Sequence, residues 1–176
     1  GESQVPTFPG ENFRMNEFTG AVLGAQLPKL DTIIAGLRKS AGAVYEGIKD
    51  LPGLRLRRRP DPDGDLGVNV CLVMESKAKR DACIAALKKA GVPANNLSGS
   101  VLLPIEESIM AKRARAANWP SFSSPEGKAI QYGPECCAQT LDVYDRSVQV
   151  RMGPKYTEAD TARIVAAIRE FYMATA

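Results

Sequence analysis

Gly10-Glu-Asn-Phe-Arg-Met-Asn-Glu17, followed by Gly20-Ala-Val-Leu-Gly-Ala-Gln-Leu27 and Lys29-Leu-Asp31, is where the chain turns from an irregular lead-in to a long helix. Before it, residues 1–9 carry Pro6 and Pro9 and no hydrophobic period, which predicts an extended segment. Gly1 carries no weight in this reasoning. Asn16 is placed to cap a helix, and Glu17 then falls in its electropositive first turn. Leu23, Leu27, Leu30, Ile34, Leu37, Ala41, Val44 and Ile48 recur at steps of four and three, so one apolar stripe continues for about seven turns. Pro28 interrupts the pattern and predicts a kink or a division into two helices. Pro52-Gly53 ends it. Gly20 and Gly24, with Ala21 and Ala25, leave one face nearly bare, which suits close packing on a neighbouring helix or subunit.

Beyond this helix the period changes. Leu54-Arg-Leu-Arg-Arg58 alternates as a strand does, and the turn formers from Pro60 to Gly64 follow it. Leu66 to Met74 is a stronger strand, with Val68, Val70, Leu72 and Met74 on one face. Ser76 then caps a helix carrying Cys83, Ala86, Leu87 and Ala90 inward and stopping at Gly91. The pattern weakens from Val92 to Gly133. There Val101-Leu-Leu103 reads as a short strand, Ile105 to Ala117 as a helix, and Ser121 to Gly133 as a loop. Glu135 to Asp145 reads as a short helix, and Val148, Val150 and Met152 alternate as a strand. Thr157 caps the last helix, with Asp160 in the capping-box position and Ala162, Val165, Ile168 and Tyr172 on its apolar face, flanked by Ile164 and Phe171. The order predicts an α+β layer structure: a long N-terminal helix and a small antiparallel or mixed sheet covered by helices.

The bulk properties narrow the function. A chain of 176 residues has room for one ordinary domain with its own core. With 44% hydrophobic and 24% charged residues it is globular in composition. No apolar run approaches the roughly 20 residues that span a bilayer, and no charged-then-apolar signal opens the chain. The expected location is the cytoplasm, with no membrane partner. A net charge of +3 is too mild for a nucleic-acid groove. The basic run Arg55, Arg57, Arg58 and Arg59 meets Asp61, Asp63 and Asp65 at once, which reads as a solvated edge strand beside an acidic turn. Histidine is absent, which removes the commonest zinc ligand, the commonest general base and any Ser-His-Asp or Cys-His arrangement within the chain. Cys71, Cys83, Cys136 and Cys137 include no C-x-x-C pair and read as buried or incidental thiols, so no metal site is expected.

The opening stretch resembles the DegT/StrS family of aminotransferases, whose version reads Gly-x-Asn-x-Arg-Met-x-Glu, then an Ala- and Gly-rich helix, then Gln-Leu-x-x-Leu-Asp. Leu51-Pro-Gly-Leu54, Thr140-Leu-Asp142, Arg146-Ser-Val148 and the helix opening Thr157-Glu-Ala-Asp160 match further, in order. The likeness is weakest over residues 95–128. It implies the small C-terminal domain of a fold-type I enzyme dependent on pyridoxal 5'-phosphate, with 10–176 as that domain and 10–50 as its interface helix segment. Such enzymes move an amino group, usually from glutamate or glutamine, to a keto-sugar or cyclitol.

By the same resemblance the Schiff-base lysine, the aspartate against the pyridine nitrogen and the aromatic residue on the ring lie upstream, in an N-terminal large domain. No catalytic residue is therefore expected here, and the chain alone should neither transaminate nor bind the cofactor tightly. Lys39, Lys49, Lys88 and Lys89 sit on polar sides of helical patterns and read as solvated charges. Asn12 corresponds to the family's Asn that reaches across a homodimer interface to the cofactor phosphate, and an amide N–H suits that task without titrating; a turn-forming Asn beside Gly10 is the bland alternative. Arg14 is an anion contact or an ion-pair partner of Glu11 or Glu17. Trp119 lines a substrate pocket or is a structural aromatic. Two other readings stand beside the aminotransferase: a pyridoxamine-phosphate sugar dehydratase of the same family, and a free-standing, non-catalytic α+β binding module. Isolated, the chain is expected to self-associate through Phe18 to Leu37.

Overall fold

Asn16 Oδ1 accepts the Thr19 N–H at 2.7 Å, and helix α1 (Glu17–Gln26) begins there. Pro28 lacks a donor, and the chain tightens into a 3-10 turn over Leu27–Lys29 before α2 (Leu30–Ile48) resumes the helical path. The expected division at Pro28 is present. This computed structural model describes residues 14–97, 102–116 and 120–175. They fall into two compact units, the larger from residues 15–97 and 143–175, the smaller from residues 102–116 and 120–142 with Arg14.

In the larger unit β1 (Asn69–Val73) leads to α3 (Lys77–Lys89) and β2 (Ala94–Asn95), and later β3 (Ser147–Arg151) to α8 (Glu158–Ala174); helix α7 (Ala138–Arg146) is divided between the units at Asp142. The sheet order is β1-β3-β2 and both pairings are antiparallel. Alternation decides its faces. Val70, Leu72, Ala94, Val148 and Val150 point one way and are fully buried. Against them pack Ala41, Val44 and Ile48 of α2, Cys83 and Leu87 of α3, and Ile164, Ile168, Phe171 and Tyr172 of α8. Burying each large side chain contributes about 1.5–3 kcal/mol, so this layer carries the unit's stability. Arg146 fastens two strand ends: its N–H1 nitrogen donates to the Met74 carbonyl at 3.0 Å and its own carbonyl accepts the Met74 N–H at 2.9 Å.

Three details depart from the sequence reading. The alternating segment from Leu54 to Arg58 forms only one bridge, Leu56 to Leu72, with hydrogen bonds from Arg57 N–H to Cys71 and from Val73 N–H to Arg55. The nearby Pro60 turn leaves no length for a full strand. Ala86 and Ala90 are exposed, because α3 turns Arg80, Cys83 and Leu87 inward. Ala162 is exposed too; the buried face of α8 is Thr161, Ile164, Ala167, Ile168, Phe171 and Tyr172. The Thr157–Asp160 capping box and the left-handed Gly91 after α3 are as read from the sequence.

The smaller unit is built of short pieces: a 3-10 turn over Leu103–Ile105, α4 (Glu107–Met110), α5 (Pro120–Ser123), α6 (Pro125–Ala129) and a 3-10 turn over Pro134–Cys137. The expected strand at 101–103 is replaced at Leu103 by the Pro104-bearing turn, and Val101 lies outside the described residues. The expected helix from Ile105 shrinks to α4, which ends where Lys112 takes a φ of 50°. Lys112 Nζ donates to the carbonyls of Gly127 and Lys128 at 3.0 and 2.7 Å, placing its charge at the negative end of α6. Phe122 and Tyr132 meet edge to face with centroids 6.3 Å apart.

Candidate functional site

Helix α1 buries none of its residues. Met15, Phe18, Val22, Leu23, Leu27 and Leu30 all present apolar surface to solvent, Phe18 at 79% exposure. The stripe read from the sequence is therefore half used: its C-terminal positions fill the core, while its first three leucines, Leu23, Leu27 and Leu30, stay exposed. A Cβ on Gly24 would meet no atom within 4 Å, and one on Gly20 would meet only the Met15 methyl at 3.7 Å. A helix apolar along its length, capped and yet bare, is a surface suited to a partner.

Of the three residues singled out for ligand contact, Arg14 is exposed two residues before the Asn16 cap. Asn12 and Trp119 lie outside the described residues. Lys39, Lys49, Lys88 and Lys89 are exposed on helices, as expected of solvated charges. Lys49 pairs with Glu46 one turn away at 2.5 Å, and that hydrogen bond holds its ammonium above the ordinary lysine range.

A pyridoxal site needs an imine lysine, an acid for the ring nitrogen and an aromatic platform. The nearest approach among the described residues is the groove of about 400 Å³ between α3 and α8, where Lys89 stands with Glu170 and Phe171. Lys89 is exposed there. No chemical step is assigned to the described residues. Nor do they hold any cluster of three or more Cys, Asp or Glu suited to a metal ion.

A second feature was not foreseen. Arg38 of α2 reaches the acidic turn with two nitrogens, Nε to the Asp65 carbonyl at 3.0 Å and Nη2 to the Asp63 carbonyl at 2.5 Å. Arg59 does not meet the neighbouring aspartates; its guanidinium lies 4.1 Å over the centre of the Tyr45 ring. Arg57 takes Asp65 instead, at 3.1 Å. The charge run 55–65 looked self-neutralising in one dimension. Tyr45, half-buried on α2 and fourteen residues before Arg59, was the available signal that one arginine has an aromatic partner.

A model of the DegT/DnrJ/EryC1/StrS aminotransferase family matches residues 2–105, more than half of the chain. Among solved structures, a DegT DnrJ EryC1 StrS aminotransferase from Brucella abortus is 21% identical with a TM-score of 0.63, the match covering 98% of this chain and 40% of that one. S. venezuelae DesV in complex with a ketimine intermediate is 17% identical with a TM-score of 0.65, covering 98% and 41%. A GDP-4-keto-6-deoxymannose-3-dehydratase with a trapped PLP-glutamate geminal diamine is 18% identical with a TM-score of 0.57, covering 91% and 37%. At these identities the likeness shows the fold. The chain spans about two fifths of the length of the structures it matches.

Proposed function

The chain belongs to the DegT/DnrJ/EryC1/StrS aminotransferase family, and we propose that it serves as the small C-terminal domain of a cytoplasmic, pyridoxal-phosphate-dependent enzyme that transfers an amino group from glutamate or glutamine to a keto-sugar or cyclitol. The observation that carries this reading is helix α1, which is capped, apolar and uncovered. In the proposal α1 and the start of α2 meet the large domain and a second subunit, and the segment just before them approaches the partner's cofactor. Asn12 donates its amide N–H to the cofactor phosphate there, and Arg14 adds positive charge to the same approach. Trp119 contributes to the keto-substrate pocket. The imine lysine comes from the large domain, so this chain alone neither transaminates nor holds the cofactor tightly.

The test has two arms. Incubated with pyridoxal phosphate and borohydride, the 176-residue chain is expected to trap no stoichiometric imine at any one lysine. In sedimentation velocity it is expected to self-associate, and Phe18→Asp with Leu27→Asp is expected to return it to a monomer. A single lysine labelled in full would overturn the assignment of the imine to another domain; a wild-type chain monomeric at high concentration would overturn the role of α1.

The matched dehydratase favours one second reading, a pyridoxamine-phosphate sugar dehydratase of the same fold. By the family resemblance a histidine in place of the imine lysine separates the two reactions, and that position belongs to the large domain. Whether the complete enzyme yields an amino-sugar or a deoxygenated keto-sugar, read by mass spectrometry of the product, decides between them.

A further inference from the structure

The cleft between α2 and the acidic turn holds about 450 Å³, and its charged lining is Arg38, Arg59, Asp63 and Asp65. Its charges are not cancelled where they stand. Asp61 spends a carboxylate oxygen on the Gly64 N–H at 2.9 Å. Asp65 accepts the Gly67 N–H at 2.9 Å and the Arg57 guanidinium at 3.1 Å. Arg38 is bound only to backbone carbonyls, which leaves its positive charge unneutralised and its Nη1 without a protein partner among the described residues. Arg59 is oriented by the half-buried Tyr45 ring and forms no hydrogen bond or ion pair among them. Two guanidinium groups, one fixed by a helix and a strapped turn and the other by an aromatic platform, thus line one cleft with free N–H groups.

Guanidinium forks match oxyanions bidentately, and two of them balance the charge of a phosphate monoester, about −1.5 to −2 near neutrality, better than that of a single carboxylate. The Asp63 carboxylate forms no contact among the described residues, and it disfavours a polyphosphate while it accepts hydroxyl protons. The volume exceeds that of a bare phosphate ion. The geometry points to a binding site for a sugar phosphate in this cleft, with Arg59 and Arg38 on the phosphoryl oxygens and Asp63 on a sugar hydroxyl. This inference does not rest on the aminotransferase reading and uses none of Asn12, Arg14 and Trp119.

The probes are inorganic phosphate, glucose 6-phosphate, glucose and glucuronate, titrated into the 176-residue chain and followed by calorimetry and by amide shifts of the turn. Saturable binding of glucose 6-phosphate, tighter than phosphate and absent for glucose, is expected. Arg59→Ala is expected to weaken it by about tenfold or more, in line with loss of a charge-assisted fork. Arg59→Lys keeps the charge and lies between. Asp63→Asn narrows the preference for the ester over phosphate. Melting curves of the Arg59 variants within a few degrees of the parent keep the result one of binding. The assignment is overturned by absent saturation with both phosphates, by unchanged affinity in a folded Arg59→Ala, or by glucuronate binding as tightly as the ester.

Discussion

Gly36 lies so close to Pro154 that a Cβ at Gly36 would fall 2.2 Å from the Pro154 carbonyl oxygen. One turn on, Ser40 Oγ donates to the carbonyls of Gly36 and Gly153, both at 3.0 Å. The middle of α2 is thus pressed directly onto the backbone that links β3 to α8.

Three glycines of α2 should therefore respond differently to alanine. At Gly36 the obstacle is backbone, and Gly36→Ala should destabilise by at least the 1–3 kcal/mol typical of overpacking, about that range being a floor. At Gly47 the Cβ would lie 2.6 Å from a Val165 methyl, a side chain with some freedom, so the loss should be smaller. At Gly42 nothing lies within 4 Å, and alanine should stabilise by about 0.5–1 kcal/mol through helix propensity. Urea unfolding of the three variants checks the order; a stable Gly36→Ala would mean α2 does not pack as described.

The thiols divide in the same way. Cys71 and Cys83 are buried, Cys136 is exposed and Cys137 partly so. Burial pushes the Cys83 thiol up to about 12 and raises that of Cys71 as well. A thiolate is the reactive form, so an aromatic disulfide reagent at about pH 8 should titrate Cys136 and Cys137 quickly and the other two only after unfolding. Rapid labelling of Cys83 in the native chain would contradict the packing of α3.

Alkaline stability follows from the same burial. The Tyr172 hydroxyl is pushed up to about 12, mainly by burial and further by the nearby Cys83 and Glu75. Both groups have folded values above their unfolded ones, about 8.5 for cysteine and 10 for tyrosine. Their contribution is complete below those unfolded values and is lost as pH rises toward 12, because the unfolded chain releases the protons first. Each adds a slope of up to about 1.4 kcal/mol per pH unit in that window. Tyr172→Phe and Cys83→Ala should each flatten the fall in denaturation midpoint between about pH 9 and pH 12; an unchanged slope in both would contradict their burial.

What was legible in the sequence was what repeats. The α2 stripe, the period of two at Val148 and Val150, and the caps at Asn16, Ser76 and Thr157 are local patterns, and each stands where read. The two-residue strand Ala94–Asn95 has no period to read; its pairing with Val150 and Gln149 is supplied by β3, far along the chain. Ala86 and Ala162 misled because alanine fits either side of a helix, and larger neighbours such as Leu87 and Ile164 decide the inward face. The Arg38 strap and the Arg59–Tyr45 stack join α2 to a turn more than ten residues away, and a charge count carries no such partner choice. Of the three residues read from the sequence as ligand contacts, Arg14 alone is within the described residues, as an exposed side chain.

Acid should act through two exposed carboxylates at the ends of helices. The Thr157 backbone N–H and then its hydroxyl hold Asp160 below the usual carboxylate range, at 2.9 and 2.7 Å. The Arg169 guanidinium, gripping both oxygens of Asp50 at 2.6 and 3.0 Å, lowers that group likewise. A depressed folded value means the contribution is present above the unfolded value near 4 and is lost as pH falls through the folded one. Melting temperature should accordingly decline between about pH 5 and pH 2. Asp160→Asn keeps an acceptor for the Thr157 N–H but no titrating charge, so its decline should be shallower from a slightly lower neutral value. Arg169→Ala also leaves the Gly47 carbonyl without its 2.9 Å donor, so it should lower stability at every pH and flatten the acid limb. If both variants fall as steeply as the parent, the acid sensitivity belongs to other carboxylates and the α2–α8 clasp is not what titrates.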